Sequence, residues 1–269
     1  MSYLRDTAFV LLAEPFRERD LWLTLYGEQH GKLVGIARGV RTSSSKQRGH
    51  IEPYSKIEVM VAKGSAYDKI AVAQTCASSH GLRSSLAGLA IFGSAVALVA
   101  RSTQPAVGNQ AVFSLLNDLQ TLLSGPETER ISAERSTLIF SSFALHFLEA
   151  EGYAMEFDAC RVCSQPLGKE PVWLSTDQGG VICRSCVALR PPSPTMGDWI
   201  SVAVLQTLRF LIREPFASAL ILSAPRSVLL EASTAVDRML SVLPGKMDKS
   251  AQGFLLSLQN PVDAHPANR

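Results

Sequence analysis

The chain has 269 residues, of which 46% are hydrophobic and 19% charged, and its formal net charge is +2. That apolar content fills a packed core and excludes a disordered chain, and the length suits two domains or one domain with an insert. A net charge this small selects no partner by itself, so the information lies in how the charge is distributed. No secretory leader is read at the N-terminus, because the apolar run at 9–13 is brief and broken by Glu14 and Pro15. The longest apolar stretch, residues 86–100, is rich in Ala and Gly and includes Ser94. It falls short of a membrane span and reads as a buried helix, so no membrane partner is expected.

The first ~80 residues alternate with the period of strands. One run covers 9–13. In the next, Leu21, Leu23 and Leu25 face one way and Trp22, Thr24 and Tyr26 the other. A third covers 32–40, entered through His30-Gly31, and two more centre on Ile57–Val61 and Ile70–Val72. Five short strands predict a small closed barrel, for which the OB-fold is the common five-stranded solution and an SH3-like barrel the competing one. From residue 31 to 50, Lys32, Arg38, Arg41, Lys46 and Arg48 occur without a single acid, most of them between the third and fourth runs. A flexible basic loop of this kind suits a phosphodiester backbone, since each cation that meets a phosphate releases condensed counterions. An ordinary solvated loop is the alternative. Trp22, Tyr26 and Tyr54 are candidate stacking platforms for bases, or else pack beneath helices.

Beyond Gly81 the period becomes helical. One long helix is predicted from Leu82 to Leu98, a second over 112–123 stopped by Gly125-Pro126, and a third over 138–148 closed by Gly152. Two more are predicted over 199–212 and 227–243, and residues 261–269 form a polar tail. The predicted fold class is therefore α+β, a five-stranded OB barrel followed by an all-α domain. The domain limits are 1–80 for the barrel, 81–157 and 191–244 for the two parts of the helical domain, 158–190 for a cysteine module inserted in it, and 245–269 for a C-terminal tail.

The module is the strongest local signal. Cys160, Cys163, Cys183 and Cys186 form C-x₂-C-x₁₉-C-x₂-C. Each pair closes onto one ion from a tight turn, and two pairs give a tetrahedral S₄ site with no open position. The expectation is one structural Zn²⁺ per chain, with disulfides as the alternative. Within the gap a short strand is predicted at Val172–Leu174, and residues 179–182 lead into the second pair. The fifth cysteine, Cys76, reads as a buried apolar residue, and this cysteine usage fits a reducing cytoplasm. The histidines His30, His50, His80, His146 and His265 share no motif with a nucleophile or carboxylate, and no hydrolase, metalloprotease or nucleotide-loop signature occurs. No catalytic residues are assigned, and a non-enzyme is expected.

Several segments, in this order, resemble the RecO family of recombination mediators. They are Phe9-Val10-Leu11 with 14–20, Tyr26–Lys32, Gly39 through the basic loop to Glu52-Pro53-Tyr54-Ser55, then 143–149, Gly152-Tyr153, Asp158, the paired cysteines and Gly179-Gly180. The resemblance implies an N-terminal OB-fold, a helical domain with a zinc module, and a cytoplasmic, nucleoid-associated location. It also implies binding of single- and double-stranded DNA, annealing of complementary strands, and help, with RecR, for RecA in displacing single-stranded-DNA-binding protein. It further implies capture of that protein's acidic C-terminal tail, for which Arg130 and Arg135 are candidate anchors. Thr42-Ser43-Ser44-Ser45 dilutes a loop that is often denser in cations in the family, which points to modest affinity through this element.

Overall fold

The computed structural model describes residues 2–77 and 80–244, and the tail expected at 245–269 lies outside the described residues. The chain divides into two compact units, Met1–Glu129 and Arg130–Arg269.

The first unit is built on five strands: β1 (Tyr3–Phe16), β2 (Asp20–Gly27), β3 (Gly31–Ala37), β4 (Lys56–Ala62) and β5 (Lys69–Ala77). They close in the order β1-β2-β3-β5-β4. All pairs are antiparallel except β3 with β5, joined in parallel at Ile36 and Lys69. This closure is that of an OB-fold and resolves the choice against an SH3-like barrel. β1 is longer than the apolar run predicts because it serves two partners. Its first half pairs with β4 and its second with β2, with a register shift between Val10 and Leu12 where the strand bends.

The alternation of β2 holds in three dimensions. Leu23 and Leu25 are buried inside the barrel with Val10, Leu33, Ile57, Val59 and Ile70. On the outer face Tyr26 is fully buried as well, because helices cover it. These are α1 (His80–Ser84), α2 (Leu86–Ser102) and α3 (Gln110–Leu123). The single helix predicted from Leu82 is thus two: Ser85 leaves helical geometry and accepts a hydrogen bond from Gly88 N–H at 3.2 Å, capping α2. Phe9, on the same outer face, packs 6.1 Å from Phe92 of α2 and 5.2 Å from Phe113 of α3. The Tyr26 hydroxyl donates to Asn109 O at 3.3 Å.

The turn between β2 and β3 is held from both sides. Buried Asp6 accepts from His30 N–H at 2.9 Å and from Gln29 N–H at 3.2 Å, and its Oδ2 lies 2.9 Å from His30 Nδ1. Gly31 has φ +62°, and a Cβ there would sit 1.9 Å from the carbonyl oxygen of Val107, so both the dihedral and the space require glycine. Cys76, expected to be buried, is exposed on the terminal β5 strand. The alternation of β5 turns it outward while Ala73 faces the core.

In the second unit, α4 (Ala133–Ala150), α6 (Val202–Arg213) and α7 (Arg226–Leu240) pack together, and Ser142 Oγ donates to Leu211 O at 2.8 Å. A three-stranded antiparallel sheet, in the order β7-β6-β8, is formed by β6 (Val172–Ser175), β7 (Gly180–Ile182) and β8 (Gly197–Ile200), with α5 (Arg184–Leu189) following β7. β8 takes residues predicted to begin a helix. Its partner β6 recruits Trp199 opposite Trp173, and Ser201 then caps α6, its Oγ accepting from Val204 N–H. Among the described residues no helix is long and apolar enough to cross a membrane.

Removing the Tyr26 ring should therefore destabilise the first unit. Tyr26→Ala is expected to cost about 3–5 kcal/mol, and Tyr26→Phe about 1 kcal/mol for the hydroxyl bond alone. Denaturant unfolding checks this, and an alanine variant as stable as the parent would contradict the packing.

Candidate functional site

The four motif cysteines converge. Cys160 and Cys163 sit on a tight turn in which Ser164 N–H donates to Cys160 O at 2.8 Å and Cys160 N–H to Gln165 O at 3.0 Å. Ser164 adopts the left-handed conformation, φ 58°, that reverses the chain. Cys183 leaves β7 as the N-cap of α5, and Cys186 lies one turn on. The four sulfurs lie within 4.8 Å of one another, and all are free thiols. The Cys163 and Cys183 sulfurs are 3.9 Å apart. A tetrahedral S₄ shell with metal–sulfur bonds of about 2.3 Å has edges of roughly 3.8 Å, so this donor set fits such an ion. Buried Trp173 and Ile182 floor the cluster.

Burial alone would raise the Cys160 thiol. Backbone N–H groups of Cys183 and Val162, 3.3 and 3.4 Å from its sulfur, outweigh that and hold it at about 6. Cys186 is pushed up to about 12, its proton held by the neighbouring sulfurs of Cys183 and Cys163. The module is tied to its helical unit by Asp158, which receives Arg213 Nη2 at 2.6 Å and Arg209 Nε at 3.2 Å, while Arg209 also donates to Phe157 O.

The basic segment between β3 and β4 is not an open loop but a succession of turns with both ends buried. Val40 and Ile51 enter the barrel core. Gly39 N–H donates to Asp20 Oδ1 at 2.8 Å and Arg41 N–H to Arg19 O at 3.0 Å, which fastens the segment to the β1–β2 turn. Gln47 Nε2 donates to Ala71 O at 3.0 Å, and Thr75 N–H donates to His50 Nδ1. Arg38, Arg41, Lys46 and Arg48 are exposed. Among the described residues none of the four forms an ion pair with a carboxylate.

Other sequence candidates are placed differently. Lys32 belongs to the fold: its Nζ donates to Ala100 O at 2.5 Å and Thr103 O at 3.3 Å, at the negative end of α2, and burial lowers its pKa. Tyr26 lies in the core, so its ring meets no base. Tyr54 has φ 69° and turns its ring onto α2, edge-on to Phe92 at 5.8 Å, with its carbonyl accepting from Gln120 Nε2. It too is a packing residue. Trp22 alone of the three aromatics stays on the open part of the barrel. Arg135 donates to Ala219 O at 2.9 Å and to Leu222 O, closing the 3₁₀ turn Phe216–Leu220, so its charge is engaged, whereas Arg130 is exposed. His30, His50 and His146 sit in separate places, each bonded locally, and His265 lies outside the described residues. Arg17 and Arg19, named in the sequence only as part of the segment 14–20, are exposed in the β1–β2 turn beside the basic segment.

An OB barrel that carries exposed cations beside its strands, followed in the chain by a helical unit with a tetrathiol cluster, defines a class of nucleic-acid-handling proteins. Comparison with known proteins makes this specific. The model of the Recombination protein O N-terminal domain matches residues 1–79, and that of the C-terminal domain matches residues 83–251. Proteins described as DNA repair protein RecO are similar over most of the chain. The Dehalococcoides mccartyi one is 30% identical over 81% of this chain and 82% of its own length. That of Pelotomaculum thermopropionicum is 27% identical over 81% and 80%, and that of a Nocardioides species 29% over 74% and 84%. The chain belongs to the RecO family of DNA repair proteins.

Because Cys186 must lose a proton held up to about 12, loading a metal on the cluster releases protons. Metal affinity is therefore expected to rise as pH increases from 6 to 8, measured by competition with a chromophoric chelator. A flat profile would mean that the thiols are not the ligands.

Proposed function

We propose that this chain is a non-catalytic recombination mediator. It binds single- and double-stranded DNA, anneals complementary strands and, with RecR, helps RecA load onto DNA coated by single-stranded-DNA-binding protein. The observation that carries this reading is the row of exposed cations Arg38, Arg41, Lys46 and Arg48, anchored on an OB barrel and free of carboxylate partners among the described residues. Holding two strands with their charge neutralised is enough for annealing and needs no bond chemistry.

The second part of the proposal is a structural Zn²⁺, one per chain, held by Cys160, Cys163, Cys183 and Cys186. Four thiolates leave no coordination site for substrate, so the ion contributes stability to the module. Capture of an acidic protein tail by the second unit rests on family membership, with exposed Arg130 as the remaining anchor.

A protein-interaction adapter with incidental DNA contact is the second reading, favoured by Thr42–Ser45, which dilute the cations. Replacing Arg38, Arg41, Lys46 and Arg48 with Ala separates the two. Each lost phosphate contact should flatten the slope of log K against log salt by about 0.7–0.9. An unchanged slope in fluorescence anisotropy titrations would remove the loop from DNA binding. For the metal, Cys160→Ser is expected to abolish stoichiometric zinc in elemental measurement and to loosen residues 158–190 in hydrogen exchange, leaving barrel protection intact. Full zinc content in that variant would defeat the assignment.

A further inference from the structure

The outer row of β2 has two fates. At one end Tyr26 is sealed beneath α2 and α3. At the other, Trp22 is only partly covered. Its neighbours there are aromatic. Phe16, diagonal to it on β1, lies 5.6 Å away, and Tyr67, from the segment entering β5, stands edge-on at 5.3 Å and 80°. Tyr67 is 54% exposed, although a phenol ring on a small barrel gains most by being buried. The Arg17 guanidinium lies 5.1 Å from the Phe16 ring centroid.

This cluster adjoins the basic segment. Arg41 Nη1 donates to Arg17 O at 3.3 Å, and Arg41 N–H donates to Arg19 O in the same turn. Arg17, Arg19, Arg38 and Arg41 are all exposed around this turn. The acids near them are Glu14 and Glu18, both exposed, and Asp20, which accepts from Gly39 N–H. An exposed tyrosine ring backed by a half-buried tryptophan, with cations at its margin, is the pairing that binds an unpaired base together with its phosphate. A duplex offers no base face to such a cluster.

We infer that Trp22 and Tyr67, supported by Phe16 and Arg17, form a stacking platform for an unpaired nucleobase, giving the barrel a preference for single-stranded over duplex DNA. The inference rests on the DNA-binding reading above and adds a division of labour. The basic segment attracts any phosphate backbone, and the platform distinguishes strands whose bases are free.

The test compares wild type, Tyr67→Ala, Tyr67→Phe and the four-cation loop variant. Each is titrated with an oligothymidylate, an abasic oligomer of equal length and a duplex. Wild type should bind the oligothymidylate about 10-fold more tightly than the abasic strand, the range expected for one stacked base. Tyr67→Ala should lose that difference while keeping its duplex affinity and salt slope. Tyr67→Phe, which keeps the ring, should retain the difference. Trp22→Phe should behave like Tyr67→Phe, as a check that needs no cavity in the cluster. Equal affinity of wild type for abasic and base-bearing strands, or an unaltered preference in Tyr67→Ala, would overturn the platform and leave the loop untouched. Absence of all DNA binding by wild type would overturn the underlying reading instead.

Discussion

The first unit depends on one packing constraint: the outer face of its barrel is dry at one end. Tyr26 and Phe9 lie between the strands and the rings of Phe92 and Phe113, so this part of the sheet is buried on both faces. The remaining contacts follow from that docking. Lys32 reaches the C-terminal carbonyls of α2, Lys56 Nζ donates to Asn117 Oδ1 of α3 at 2.8 Å, and Gln120 holds the carbonyl of Tyr54. The helices thereby take up several polar and aromatic groups that would otherwise face solvent. What stays available is the opposite end of the barrel, where the basic segment and the β1–β2 turn are bonded together.

In the second unit the same logic works through sulfur. Two turns and a short sheet bring four thiols to one point, with N–H groups directed at Cys160 and Trp173 beneath it. Four thiols at this spacing offer the donor set that a tetrahedral metal ion takes. Asp158 and the two arginines of α6 fix the module to a helix. The cysteines thus sit at the centre of a small module, while the exposed cations on which the DNA-binding proposal rests lie more than a hundred residues earlier in the chain.

Much of this was legible from local pattern. Strand alternation located all five barrel strands, because a one-residue slip would exchange core and surface. The cysteine spacing located the cluster, since ligand pairs two residues apart have few other uses. The expectations that changed share a cause. Lys32, Tyr26, Tyr54 and Arg135 were read from residue type alone, and each has its polar or aromatic group taken up by a segment distant in sequence. Trp199 was read as helical until β6 supplied it with a partner. Tyr67 had no motif around it, and only the approach of β5 to β3 sets its ring against Trp22.

By itself, then, the chain determined the architecture in outline, the four cysteines of the cluster and the run of cations between β3 and β4. These are properties of periodicity and spacing, which act over a few residues. Tertiary structure alone decided which aromatics and cations face solvent. Availability depends on what else packs against a residue, and the covering helices lie some 60–90 residues beyond the strands they seal.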